Sequence, residues 1–148
     1  MTILKIHTIN INNNSGSNYS YFVPVAIIAP TLAATTAVDL IGASVARSGG
    51  NVTSDGGSAI TERGVVYSTV PNPTILDSKV TTAGTTGTYT TNMSGLTPGT
   101  LYYVRAYATN AIGTSYGTQT TFTTLAPPTP TAISSGSTSI DLNWTRWT

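Results

Sequence analysis

The sequence predicts an all-β chain organised around a two-sheet antiparallel sandwich. Three observations point there. Short alternating apolar and polar runs, rich in Val, Ile, Thr and Tyr, recur from residue 31 to residue 125. Gly, Pro, Asn and Asp punctuate them at turn positions. No stretch sustains a 3.6-residue period with helix caps. Only 7% of the residues are charged and the formal net charge is +1, against about 25% charged in an average globular protein. Thr, Ser, Gly and Asn supply the missing polarity. Such a surface carries no electrostatic footprint for nucleic acid or an anionic membrane.

The elements follow in chain order. Residues 1–23 form a distinct segment: Leu4, Ile6, Ile9 and Ile11 suggest a strand with a slip in its alternation, and Tyr19, Tyr21 and Val23 alternate again beyond an Asn-rich turn. A lone hairpin is marginal in water, so this segment is expected to need a partner surface. Residues 24–30, bounded by Pro24 and Pro30, read as a linker. Within the domain at residues 31–125, strands are expected near 31–35, 37–47, 59–68, 78–83, 86–93, 101–110 and 115–124. About seven strands in roughly 95 residues match the size of a sandwich domain. On the strand Leu101–Asn110, Tyr102, Val104, Ala106 and Ala108 are expected to face the core. Tyr103, Arg105 and Tyr107 then form an outward stripe, a candidate exposed face for a sugar or a protein. Beyond Leu125, Pro127, Pro128 and Pro130 form a stiff linker. Residues 126–148 thus read as a linker and the first two strands of a second module, with Trp144 at a core position.

Particular residues carry a family resemblance. The run Leu96-Thr97-Pro98-Gly99-Thr100-Leu101-Tyr102-Tyr103-Val104-Arg105-Ala106, with Asn110, is similar to the corner and following strand of fibronectin type III domains. The runs 49–57 and 60–68 are similar to modules repeated in surface proteins of Bacteroidota and in their phages. The resemblance implies a fibronectin type III/immunoglobulin-like antiparallel β-sandwich with an N-terminal extended or hairpin segment. It also implies a tyrosine corner built from Leu96, Pro98 and Tyr102, in which the phenol bonds back to the chain a few residues upstream. One departure stands out: the family carries a core tryptophan on its second strand, and the run Ala37–Arg47 has none. Val38, Leu40, Ala43 and Val45 are expected to fill that space, helped by Tyr67.

Constellations for catalysis are missing. His7 is the only histidine, there is no cysteine, and Asp39, Asp55, Glu62, Asp77 and Asp141 form no close sequence pair. Asp55-Gly56-Gly57 reads as a turn rather than a calcium loop, which wants several alternating acids. Glu62 and Arg63 are expected on an exposed strand face. No cofactor and no metal site are expected.

Two functions fit. The first is a non-catalytic virion structural protein of a bacteriophage, a capsid or tail decoration or fibre displaying immunoglobulin-like modules. Leu4, Ile6, Ile9, Ile11, Tyr19 and Tyr21 would then anchor it on other virion proteins or on a copy of the same chain, and the module could meet a host-surface glycan or protein. The second is part of a secreted bacterial adhesin or a spacer at the cell surface. The N-terminal stretch has no long apolar core or small-residue cleavage site, which favours the virion.

Overall fold

The structure is a computed structural model that describes residues 3–12, 15–16, 18–135 and 139–143. All its regular elements are strands. β1 (Ile3–Asn12) and β2 (Asn18–Ile27) form a two-stranded ribbon. The sandwich follows. One sheet joins β3 (Thr31–Leu32), β4 (Thr36–Asp39), β5 (Val45–Ser54) and β8 (Gly87–Ser94), with β5 at its centre. The other joins β6 (Glu62–Ser68), β7 (Ser78–Thr81), β9 (Leu101–Thr109), β10 (Thr114–Tyr116) and β11 (Thr120–Thr123). Here β9 lies between β6 and the pair β10–β11. All pairings are antiparallel. Beyond the Pro-rich linker, β12 (Thr131–Ser135) pairs with β13 (Ser139–Asn143). The expected core position of Trp144 lies outside the described residues.

Several strand boundaries differ from expectation: the strand expected at 115–124 is divided into β10 and β11, and the stretch from residue 37 to residue 54 is divided differently for physical reasons. The run Ala37–Arg47 is not one strand. It ends β4 at Asp39, turns at Leu40 with a left-handed φ of 46°, and enters β5 at Val45. The true second strand runs on through Gly49 and Gly50, residues that weaken a strand intrinsically and therefore read as a loop. The register explains them. Gly50 stands opposite Tyr89 of β8. A Cβ at Gly50 would lie 2.5 Å from Ala106 Cβ and 3.0 Å from the Tyr89 hydroxyl. The space that a large side chain on β5 would occupy is filled instead by Tyr89, arriving from the neighbouring strand. Leu40 and Val45, expected in this core, are 65% and 46% exposed.

Tyr89 also ties the sheets together. Its hydroxyl donates to the Gly64 carbonyl of β6 at 2.8 Å, with the Tyr107 carbonyl of β9 at 3.2 Å. Around it pack Val52, Ala106 and Ala108. A second cluster of Ala46, Val65, Met93, Leu96, Tyr102, Val104 and Phe122 fills the other half of the interior. Tyr102 stacks on Phe122 at 5.6 Å between centroids.

Arg63, expected on an exposed face, is buried. Its guanidinium lies 4.9 Å above the Tyr89 ring. Nη1 donates to the carbonyl of Thr85 at 2.7 Å, and Nη2 to that of Ala83 at 2.9 Å. The Thr86 carbonyl lies 3.3 Å from Nη1. The loop between β7 and β8 thus wraps a cation with its carbonyl oxygens, which satisfies most of the charge's hydrogen-bonding demand. Arg63 Nε is a buried nitrogen left without a partner among the described residues.

Two outcomes follow. Gly50→Ala forces a methyl group against Ala106 and Tyr89 and should cost about 1–3 kcal/mol of stability. Gly113→Ala, with open space around its Cβ, should stay within about 0.5 kcal/mol; paired urea titrations check both. Burial pushes the Tyr89 phenol up to about 12. A raised phenol keeps its proton in the folded chain while the unfolded chain releases it. The stability from this group is therefore intact below pH 10 and is lost as pH rises from about 10 towards 12. Tyr89→Phe should lower the melting temperature at pH 8 and flatten its fall between pH 10 and pH 12.

Candidate functional site

The described residues put their most unusual chemistry in the β1–β2 ribbon. Its ten-residue pairing is continuous, from Ile3 opposite Ile27 to Asn12 opposite Asn18. Side chains alternate between faces along each strand, and cross-strand partners share a face. One face therefore carries His7, Ile9, Ile11, Tyr19, Tyr21, Val23 and Val25. The other carries Leu4, Ile6, Phe22, Pro24 and Ala26 near the sandwich, and Thr8, Asn10, Asn12, Asn18 and Ser20 towards the tip. The apparent slip in the sequence pattern is a change of apolar face, since the ladder is unbroken. Leu4 and Ile6 therefore face away from Ile9, Ile11, Tyr19 and Tyr21. Pro24 sits within β2, opposite Ile6. It is tolerated because each strand of a two-stranded ribbon is an edge.

All of these apolar side chains are exposed. Phe22 is 70% exposed, Ile6 65%, Leu4 57%, Tyr21 53%, and Ile11 and Tyr19 each 51%. A small module rarely leaves so many large apolar groups together in water.

The ribbon enters the sandwich through a built junction. β2 extends to Ile27, so the expected linker 24–30 shrinks to residues 28–30. The Ile28 N–H donates to the Gly56 carbonyl at 2.9 Å. The Ile28 carbonyl accepts from Asn110 Nδ2 at 2.7 Å, and the same nitrogen reaches the Asp55 carbonyl at 2.8 Å. Asn110 Oδ1 accepts the Ile112 and Gly113 N–H groups at 2.9 and 3.2 Å. One buried amide thus joins the ribbon, the 55–57 turn and the β9–β10 turn. Gly56, at φ 69°, accommodates this: a Cβ there would lie 2.2 Å from the Ile28 carbonyl oxygen. Asp55 Oδ1 accepts the Gly57 N–H at 2.9 Å, the bond of an Asx turn.

At the opposite end of the sandwich Tyr102, 8% exposed, accepts the Thr97 N–H on its hydroxyl at 3.0 Å. Leu96 is buried beside it, and Pro98 leads into Gly99 at φ 63°. Thr124 Oγ1 reinforces this corner, donating to the Thr97 carbonyl at 2.6 Å and accepting the Thr100 N–H at 2.9 Å.

The expected outward stripe does not form an exposed face. Tyr107 is fully buried and its hydroxyl bonds to Glu62 Oε1. Burial first, and the Glu62 carboxylate second, push that phenol up. Glu62 is held below the usual carboxylate range by hydrogen bonds from Lys79 and then Tyr107. Arg105 lies 4.5 Å over the Tyr116 ring and donates through Nε to the Gly117 carbonyl at 3.2 Å. Tyr103 is half-buried. The loop between β6 and β7 covers part of this face: Ile75 N–H donates to the Tyr116 hydroxyl at 3.0 Å, and Pro73 is buried.

The acids have local structural tasks. Asp39 forms a two-point ion pair with Arg47, at 2.9 and 2.7 Å. Asp77 accepts the Thr74 N–H at 2.8 Å. Among the described residues no three His, Cys, Asp or Glu side chains gather as a metal site.

No family model matches the chain, and no curated protein matches it. Solved structures do. Domains A168–A170 of titin superpose with a TM-score of 0.50 at 18% identity, over 74% of this chain and 36% of that one. The FN1–FN3 domains of chicken CNTN1 give 0.51 at 17% identity, over 84% of this chain and 44% of that one. The fold is that of a fibronectin type III or immunoglobulin-like sandwich. The sensor domain of the anti-sigma factor RsgI4 from Pseudobacteroides cellulosolvens also aligns, with a TM-score of 0.47 and 19% identity over 68% of this chain and 98% of that one. The chain spans less than half the length of the titin and CNTN1 structures.

Asn110→Ala strips partners from two carbonyls and two amides at once. It should cost about 2–4 kcal/mol, on the scale of a buried network that loses one member. Hydrogen exchange at Ile28, Ile112 and Gly113 should accelerate with it.

Proposed function

We propose that this chain is a non-catalytic virion structural protein of a bacteriophage, a capsid- or tail-attached decoration that displays an immunoglobulin-like module and is held by its β1–β2 ribbon. The observation that carries the reading is the ribbon itself. It exposes apolar side chains on both faces, has two open edges, and is joined to the module through the Asn110 junction. Fixing a backbone residue costs roughly 1–2 kcal/mol, and a two-stranded ribbon cannot bury enough surface alone to offset that. A partner that covers the faces or adds a strand to an edge supplies the balance. The low-charge, hydroxyl-rich surface and the resemblance to modules of Bacteroidota and their phages support the virion as the setting.

A non-catalytic role belongs to the same proposal. Asp39, Asp55, Glu62 and Asp77 are engaged in ion pairs, turns and a phenol contact, and the one histidine lies on the ribbon. A secreted adhesin or spacer at the bacterial surface is the second reading. It is favoured by the β12–β13 pair beyond the Pro-rich linker, which suits a tandem array.

Deleting residues 1–27 tests the proposal. The sandwich should keep a cooperative melt, because its core clusters draw nothing from the ribbon. Incorporation into purified particles, read by mass spectrometry, should be lost. Normal incorporation of the truncated chain would refute the anchoring role.

A further inference from the structure

The corner end of the sandwich holds a cleft of about 640 Å³. Tyr67 of β6, Tyr102 of β9, Ser78 at the start of β7 and Asp77 just before it line the opening. Its size falls in the range of roughly 300–1,000 Å³ usual for small-molecule sites. We propose that this cleft binds a neutral saccharide, with Tyr67, Asp77, Ser78 and Tyr102 as its polar contacts. The proposal goes beyond the anchoring role of the ribbon and does not depend on it.

Three observations argue for that ligand. The first is unused hydrogen-bonding capacity. The hydroxyls of Tyr67, Thr69 and Ser78, all on the lining, bond to no described residue. Tyr102 accepts the Thr97 N–H on its oxygen and gives its own proton to no described residue. Asp77 Oδ2 accepts the Thr74 N–H at 2.8 Å and the Thr74 hydroxyl at 3.2 Å, while Oδ1 takes no bond from a described residue. Two phenols that can donate, a carboxylate oxygen that accepts and two hydroxyls that do either suit a ligand that is itself a row of hydroxyls.

The second observation is the balance of charge and apolar surface. Asp77 is the only charged residue on the lining, and Leu76, 93% exposed, is its only aliphatic one. No cation is there to hold an anionic ligand. The apolar wall is too small for an aliphatic one, since such sites are lined mostly by apolar side chains. A lone exposed carboxylate gives an ammonium group only about 0–1 kcal/mol, which does not select an amine. A sugar ring has hydroxyls around its edge and C–H groups on its faces. Tyrosine, with an apolar body and a polar tip, matches both.

The third observation is that the cleft is already in place. Tyr67 meets the Tyr102 ring edge-on at 6.2 Å between centroids, and Tyr102 is itself stacked on Phe122. Ser78 stands opposite Tyr67 in the β6–β7 register, so the two side chains share a face. The loop that carries Asp77 is tied down by the buried Pro73, by the Ile75 N–H on the Tyr116 hydroxyl, and by the Asp77 N–H on the Thr74 carbonyl at 3.0 Å. A site held in this way loses little ordering entropy when a ligand arrives.

Titration of the isotope-labelled full chain with maltose, cellobiose, lactose and diacetylchitobiose, followed by amide NMR shifts, tests this. At least one of the four should bind saturably with a millimolar Kd. It should shift the signals of Ser68, Leu76 and Ser78 and leave those of Ile28, Ile112 and Gly113 at the Asn110 junction unmoved. Tyr67→Phe keeps the ring and removes the hydroxyl; Asp77→Asn removes the charge. Each should weaken binding about tenfold, the worth of one hydrogen bond in a polar site. Tyr21→Ser, on the ribbon, should leave binding unchanged. The shift map of the unaltered chain decides the location even where a variant folds poorly. No saturable shift with any of the four sugars, shifts centred away from the cleft, or undiminished binding in either folded cleft variant would overturn the proposal. Binding by a chain that never enters particles would leave the saccharide site standing and remove the virion role.

Discussion

A phenol that crosses the interior sets the geometry of the module. Tyr89 leaves one sheet and hydrogen-bonds to main-chain carbonyls of the other. Its ring can lie there only because Gly50, its cross-strand neighbour, has no side chain. The same ring lies under the Arg63 guanidinium, so the sheet separation and the position of the β7–β8 loop are set around one side chain. A buried hydroxyl without an acceptor is costly; these carbonyls supply one while serving the strands that carry them. The interior is thus closed by a polar tie.

Much of the fold was legible in the sequence, and the errors have physical causes. The strand at 101–110 and its preceding corner could be read because alternation, a Pro-Gly turn and a phenol at fixed spacing all agree there. The strand through Gly49 and Gly50 could not, because its reason is a tyrosine some forty residues away. Charge normally signals exposure. Arg63 breaks that rule because four carbonyls, of Ala83, Thr85, Thr86 and Gly87, converge on its guanidinium, an arrangement no local pattern encodes. Tyr107 misled in the opposite sense: parity correctly put it on the outer face of its sheet, but the loop at 69–77 and the Glu62 carboxylate cover that face.

The candidate site was legible in composition and illegible in direction. The apolar residues of the ribbon could be listed from the sequence. Which of them point the same way depends on an unbroken register from Ile3 to Ile27. That register turns what looks like irregular alternation into two surfaces of different extent. The junction was less visible still. Asn110 stood out in the sequence only within the family resemblance, and only the fold brings Ile28 and Asp55 to its amide.

The arginine clamp has a consequence for the variability of the chain. Arg63 holds the loop through main-chain oxygens and reads none of its side chains. Gly84 is fixed, since a Cβ there would lie 2.0 Å from the guanidinium, and Gly87 keeps a left-handed φ of 97°. Ala83, Thr85 and Thr86 carry no such constraint from the clamp. The module therefore has a surface segment whose shape is held from beneath while its chemistry is free to drift, an exchangeable patch on a scaffold that does not register the exchange.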